Sequence, residues 1–174
     1  MSRERLLRQF GRMERDRQDI LKRLEGARTK RLATSPGEHA WYIAQVITHL
    51  AIAEEGGLTY LNKKLEVKKH GPVGISSHWR LFLLNIAVWL PIKYKAPAIV
   101  ADVPATSYEV ARQRWSAVRE RMREAYTTID TSFIGHDLYK HPMAGRFNLI
   151  QGVRFMRRHV QHHKAQIHRT LRQV

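Results

Sequence analysis

A chain of 174 residues is long enough for a sizeable core in one domain, and its 43% apolar content is ordinary for a globular protein. It has no cysteine, which excludes disulfides, thiolate metal sites and cysteine nucleophiles; any metal must be held by histidine, carboxylate, amide or water. The formal charge of +16 favours polyanions, anionic membranes or acidic substrates as partners and says little about the fold.

From Arg3 to about Lys30, Leu6, Phe10, Met13, Ile20 and Leu24 recur at helical spacing. Arg17 falls on the same stripe, so it must lie near an end of the core or pair with a carboxylate. The other basic residues alternate with Glu4, Glu14, Asp16, Asp19 and Glu25, the pattern of a solvated, salt-bridged face. The first residues lack the apolar segment of a secretory signal, and the expected location is the cytoplasm.

Ser35-Pro36-Gly37 is a turn signal. A second helix is predicted from near Trp41 to about Val67, with Ile43, Val46, Ile47, Leu50, Leu58, Leu61 and Leu65 on one stripe. His49 lies at the edge of that stripe, as a hydrogen-bonded core histidine or as a ligand. Glu54 falls within it and needs a buried partner, for which Arg17 or an imidazole of the last helix would serve. Its candidate roles are a base, an orienting group for an imidazole, or a structural ion pair. Gly56-Gly57 inside the pattern predicts close packing or a local irregularity.

Residues 68–78 read as a loop. Trp79 to Leu90 is apolar on every side except Arg80 and Asn85, until Pro91 ends it. It is too short to cross a bilayer, which needs roughly 20 residues. Its expected place is the core, a subunit interface such as a homodimer's, or the mouth of a pocket. A Pro-punctuated connection follows from Lys93 to Pro104. Thr106-x-x-Glu109 then resembles a capping box for a helix carrying Tyr108, Ala111, Trp115, Val118, Met122, Ala125 and Ile129 on one face. Asp130 to Phe147 reads as a loop containing His136-Asp137 and His141-Pro-Met-Ala-Gly145. No stretch reads as a strand. The expected fold is all-α, one domain over residues 1–174: an up-and-down four-helix bundle with an extra short helix.

The last helix, Asn148 to Leu171, carries the chemistry, and Asn148-x-x-Gln151 resembles its cap. Leu149, Val153, Met156, Val160, His163, Ile167 and Leu171 form one stripe; Arg154, Arg157, Arg158, Lys164, Arg169 and Arg172 are among the residues opposite. His159 sits one turn before His163. Residues four apart on a helix stand roughly 5–6 Å apart at Cβ, so both imidazoles can reach one divalent ion. Two imidazoles rarely suffice, and a third ligand must come from elsewhere. His162 and His168 project away from that line and are expected in solvent. Asp137 is the last acidic residue, so the helix itself offers no carboxylate. Gln166, one turn after His163, is a candidate hydrogen-bonding group behind the ligands or toward substrate, with a plain surface position as the alternative.

Trp41 to Glu54 (WYIAQVITHLAIAE), Lys95-Ala-Pro97, His141-Pro-Met-Ala-Gly145 and His159 to Ile167 (HVQHHKAQI) together resemble the DinB-like superfamily, the DinB/YfiT group of metalloproteins, and especially its DinB_2 branch. The family pattern is one histidine on the second helix and H-x-x-H-H-x-x-Q-I on the last, which His49, His159, His162, His163, Gln166 and Ile167 match. The family often has a small cap residue after the tryptophan, where this chain has Tyr42. The resemblance implies a helical bundle holding a divalent ion, zinc or nickel foremost, on His49, His159 and His163. It further implies a metal-dependent enzyme, either a thiol S-transferase acting with a low-molecular-weight thiol and a small-molecule electrophile or a hydrolase. Glu54 and Gln166 are the candidate catalytic residues beside the metal.

The competing reading is a non-catalytic basic bundle that binds polyanions without sequence preference. Phe155 is the one aromatic on the basic last helix, so the stacking platform of a nucleic-acid reader is not apparent. A third reading has the histidines holding metal for stability alone.

Overall fold

The computed structural model describes residues 2–38, 40–74, 76–89, 103–141 and 144–174. Six α-helices lie among them: α1 (Arg3–Leu24), α2 (Thr29–Leu32), α3 (Ile43–Glu66), α4 (Ser76–Trp89), α5 (Tyr108–Thr128) and α6 (Leu149–Gln173). Between α5 and α6 come a 3-10 turn, Thr131–Gly135, and two short strands, β1 (Tyr139–His141) and β2 (Gly145–Phe147). The all-α bundle is as the periodicity predicts. Lys95-Ala-Pro97, and the centre of His141-Pro-Met-Ala-Gly145, lie outside the described residues.

The first predicted helix is split in two. Gly26, at φ +74°, takes a left-handed conformation that ends α1. The separate turn α2 then lets Arg31 donate to the carbonyls of Leu171 (2.5 Å) and Val174 (2.8 Å). These are orphan acceptors at the C-terminus of α6. The predicted stripe of α1 is buried, and Arg17 is buried with it, bonded to Glu14 at 2.6 Å and to Ser116 Oγ at 3.0 Å.

The strands depart from the expected loop. Tyr139 pairs with Phe147 and His141 with Gly145, antiparallel. Tyr139, His141 and Phe147 point inward while Lys140 and Arg146 are exposed, a two-residue period too brief to read before folding. Tyr139 enters a slot between α3 and α6. A Cβ on Gly57 would stand 3.1 Å from Tyr139 Cε2, and one on Gly152 would stand 2.5 Å from Tyr139 Cγ. Of the Gly56-Gly57 pair, Gly57 is therefore the close-packed residue, and Gly56 faces open space.

Side chains cap the starts of α1, α5 and α6. Asn148 and Gln151 form the predicted reciprocal box on α6, at 2.9 and 3.0 Å, and Gln151 Nε2 also donates to Ser77 Oγ on α4 at 3.1 Å. On α5 the cap is Ser107, whose Oγ accepts from Val110 N at 3.3 Å, not Thr106. Thr106 instead uses its backbone amide, donating to the Tyr42 hydroxyl at 2.9 Å. Tyr42 thus ties the start of α3 to the start of α5, and Gln45 Oε1 accepts from the Tyr42 amide at 3.3 Å.

Helix α1 packs against α6 and α5, and α3 packs against the same two, which sets the four long helices in a ring ordered α1–α6–α3–α5. Inside it, Glu54 is not paired with Arg17 or an imidazole, as expected from sequence. Arg119 of α5 grips it with Nε (2.6 Å) and Nη2 (2.7 Å), and the Trp115 indole donates to it at 3.0 Å. Arg119, fully enclosed, also bonds Glu14 at 3.1 Å. The result is a chain of alternating charge, Arg17–Glu14–Arg119–Glu54, which is neutral overall and therefore tolerable in the core.

Helix α4 is only half in the core. Leu81 and Leu84 are buried, but Trp79, Phe82, Leu83 and Ile86 are exposed, Trp79 by 68%. No helix among the described residues is long and apolar enough to cross a membrane.

Candidate metal centre

The ring order places α3 beside α6, and this adjacency supplies the partner that the last helix lacks. His49 projects from the buried side of α3 towards His159 and His163. His159 Nε2 lies 3.1 Å from His49 Nε2 and 3.1 Å from His163 Nε2. All three nitrogens fall within 4.8 Å of one another, and these are the one such group among the described residues. Two imidazole ligands on a tetrahedral ion with bonds of 2.0–2.1 Å stand about 3.3 Å apart. The two 3.1 Å spacings are close to that value, and the third pair, His49 and His163, lies within 4.8 Å.

The donor chemistry fits as well. His163 Nδ1–H donates to Gln166 Oε1 at 2.7 Å. An amide oxygen only accepts, so the proton is on Nδ1 and a lone pair is left on Nε2, facing the cluster. Gln166 thereby orients the ring from behind, which decides between its two sequence-level readings in favour of a supporting group. Burial pushes the His163 imidazole down to about 3, with His49 and His162 adding repulsion and the Gln166 bond opposing it. His159 is lowered well below its ordinary value by burial, then by His163 and His49. Neutral imidazoles are the form that ligates a metal.

Aromatic rings frame the cluster. Trp41 packs on His49 with centroids 4.9 Å apart, and Phe155 lies nearly parallel to His159 at 6.1 Å. Phe155 in turn meets the edge of His141 at 4.7 Å, while His141 Nδ1 accepts from Ala144 N at 3.1 Å. His141 thus ties the two ends of the hairpin turn together. Sequence reading missed Phe155 as a wall of the site; its one signal was its place a single turn before His159. His162 is exposed as expected. His168 is not: it is half-buried, and its Nε2 is enclosed without a hydrogen-bond partner among the described residues. Glu54 is engaged by α5 and takes no part in the imidazole cluster.

Three imidazoles thus converge between two long helices of a predominantly helical bundle. A family model described as the DinB superfamily matches residues 12–167, and the chain belongs to that superfamily. No curated protein and no solved structure matches it.

Proposed function

We propose that His49, His159 and His163 hold one divalent ion, zinc or nickel, and that the protein is a metal-dependent enzyme of the thiol S-transferase or hydrolase type. The observation that carries this reading is the pair of 3.1 Å contacts joining three imidazole nitrogens, with the Gln166 bond fixing the proton of His163 on the far side of its ring. Three protein ligands leave a position open for a substrate, and the ion would supply Lewis acidity that activates a bound water or thiol. The residues around it bind and orient. Gln166 holds the proton of His163 at Nδ1. Trp41 and Phe155 set apolar rings beside the cluster, a surface that would suit the body of a small-molecule substrate.

Between the two reaction types we favour the transferase, with a low-molecular-weight thiol as nucleophile, by analogy with the superfamily alone. Glu54 is not offered as a base, because its oxygens already accept from Arg119 and Trp115. The exposed face of α4 is where a second copy would pack.

Metal content by mass spectrometry on tag-free protein, wild type beside His163→Ala, tests the site. About one equivalent in the wild type and little in the variant is expected, followed by a screen of thiol–electrophile pairs and esters. A wild type that takes up neither zinc nor nickel would sink the reading. A basic bundle binding polyanions would then lead, and one observation favours that alternative. Arg154 on α6 is lowered from its usual range by partial burial and then by Arg5 and Arg12 of α1, a group of guanidiniums with no carboxylate bonded to it among the described residues.

A further inference from the structure

A cavity of about 390 Å³ opens between the loop at residues 69–74, the first turns of α4 and the β1–β2 hairpin, and it shares no lining residue with the imidazole cluster. Its wall is cationic, with Lys69, Arg80 and Arg146 contributing side chains and Asp137 the one carboxylate. That carboxylate is already fully engaged. It accepts from Gly71 N at 2.9 Å, from Lys64 at 3.1 Å and from Arg146 at 3.0 Å. Although burial pushes the Asp137 carboxyl up, the Gly71 amide and Lys64 hold it below the usual range. Lys64 and Arg146 together more than match its charge. Lys69 and Arg80 therefore bring two further charges with no carboxylate bonded to them among the described residues, and three cations line the cavity against one anion that Lys64 also neutralises. Arg80 reaches across to the hairpin, its Nε 3.9 Å from where a Cβ on Gly145 would stand. His70 is fixed in the wall by an Nδ1···Nδ1 bond of 2.8 Å to His136.

From this geometry we propose that the cavity binds a phosphate dianion, free or as the head of a small phosphate monoester. Its size is within the roughly 300–1,000 Å³ of small-molecule pockets. A concave wall of one sign focuses its field on the space it encloses. The planar forks of Arg80 and Arg146 match phosphate oxygens in pairs, which a singly charged carboxylate would use less fully. The inference is independent of the metal reading.

The test is inorganic phosphate titrated into the full-length chain at constant ionic strength, followed by amide resonances in two-dimensional NMR. Saturable shifts confined to Gly71, Val73, Gly74 and the hairpin are expected. Lys69→Gln with Arg80→Gln should weaken binding by on the order of tenfold or more, since both residues are exposed and their loss spares the core. Arg154→Gln, which removes a charge elsewhere, and His163→Ala, which opens the imidazole cluster, should leave binding unchanged. Glycerol phosphate binding more tightly than inorganic phosphate identifies a monoester as the ligand; equal or weaker binding identifies the free ion. Shifts that never saturate, or that Arg154→Gln or His163→Ala reduces as much as the cavity variants do, would overturn the proposal.

Discussion

Arg17, Glu14, Arg119 and Glu54 alternate in charge across α1, α3 and α5, whereas His49, His159 and His163 bring three groups of one kind together across α3 and α6. Both clusters interrupt the apolar stripes of the same bundle. The first answers every charge from within the chain, so nothing further is needed to hold it there. The second sets like against like. Burial keeps His159 and His163 neutral, and the Gln166 bond leaves the His163 Nε2 lone pair facing the cluster, an arrangement compatible with a metal ion. Polar groups in a core that complement one another indicate architecture; polar groups that duplicate one another indicate a ligand.

Removing one member of the alternating network should have the largest effect on stability. Arg119→Met leaves Glu54 buried without its partner, and a loss of about 3–5 kcal/mol is expected, which lowers Tm by roughly 10 °C. Adding Glu54→Leu should restore most of it, because a matched apolar pair costs little. Denaturant melts check the stability, and metal content of the folded fraction should stay at the wild-type level. Loss of metal from folded Arg119→Met would show that the two clusters are not separate.

The imidazole cluster is predicted to depend on pH. The unfolded chain titrates His163 near 6.5, and the folded chain only near 3. Between those values the unfolded state carries a proton that the folded state lacks, so ion-free protein is destabilised as pH falls from 6.5 toward 3. Glu14, lowered through its bonds to Arg17 and Gln18 against the pull of burial, acts in the same direction but below its ordinary 4.5. Thermal melts at pH 7.5, 6.0 and 5.0 separate the two, since His163→Ala should flatten the upper part of the slope alone. Zinc should raise Tm at pH 7.5 and by a similar amount at pH 5.0, because burial keeps the folded His159 and His163 neutral at both values. A zinc effect that collapses between pH 7.5 and 5.0 would contradict this account.

The sequence carried the two clusters unequally. His159 and His163 were legible because helical phase alone aligns residues four apart, and the buried stripe of α6 follows the predicted one. His49 was placed by resemblance, since the adjacency of α3 and α6 is a property of the ring order that no local pattern reports. Glu54 was legible as buried but not its partner. Arg119 sits next to Val118 in a strongly basic helix, where one more arginine gives no sign of being enclosed. The hairpin was missed because three-residue strands carry too little alternation, yet Gly57 and Gly152 held the trace of it, as the two positions where Tyr139 leaves no room for a Cβ.

A smaller effect is expected behind the ligands. Gln166→Leu keeps the volume of the side chain but removes the acceptor for His163 Nδ1–H. The ring is then free to take the other tautomer, and metal affinity should fall by roughly 10–100-fold. Competition with a chromophoric chelator measures it, with Gln166→Glu as the variant that restores an acceptor and much of the affinity.

The smallest expected change concerns His168, an imidazole of the same helix that lies outside both clusters. His168 follows His163 by five residues, so it leaves the shared face, and its Nε2 is enclosed with nothing described to bond. Burial, then Arg23, Lys164 and Arg172, push its pKa down, so its neutral form is favoured there as at His163. What it lacks is convergence: no second nitrogen meets it, and an ion would find one ligand. His168→Leu removes an unsatisfied polar atom and adds apolar contact, so stability should rise by about 0.5–1 kcal/mol, roughly 1–4 °C in Tm. Metal content should not change. A drop in metal content would bring His168 into the site and blur the line drawn between convergent and solitary imidazoles; a drop in Tm alone would show that its Nε2 has a partner that leucine cannot replace.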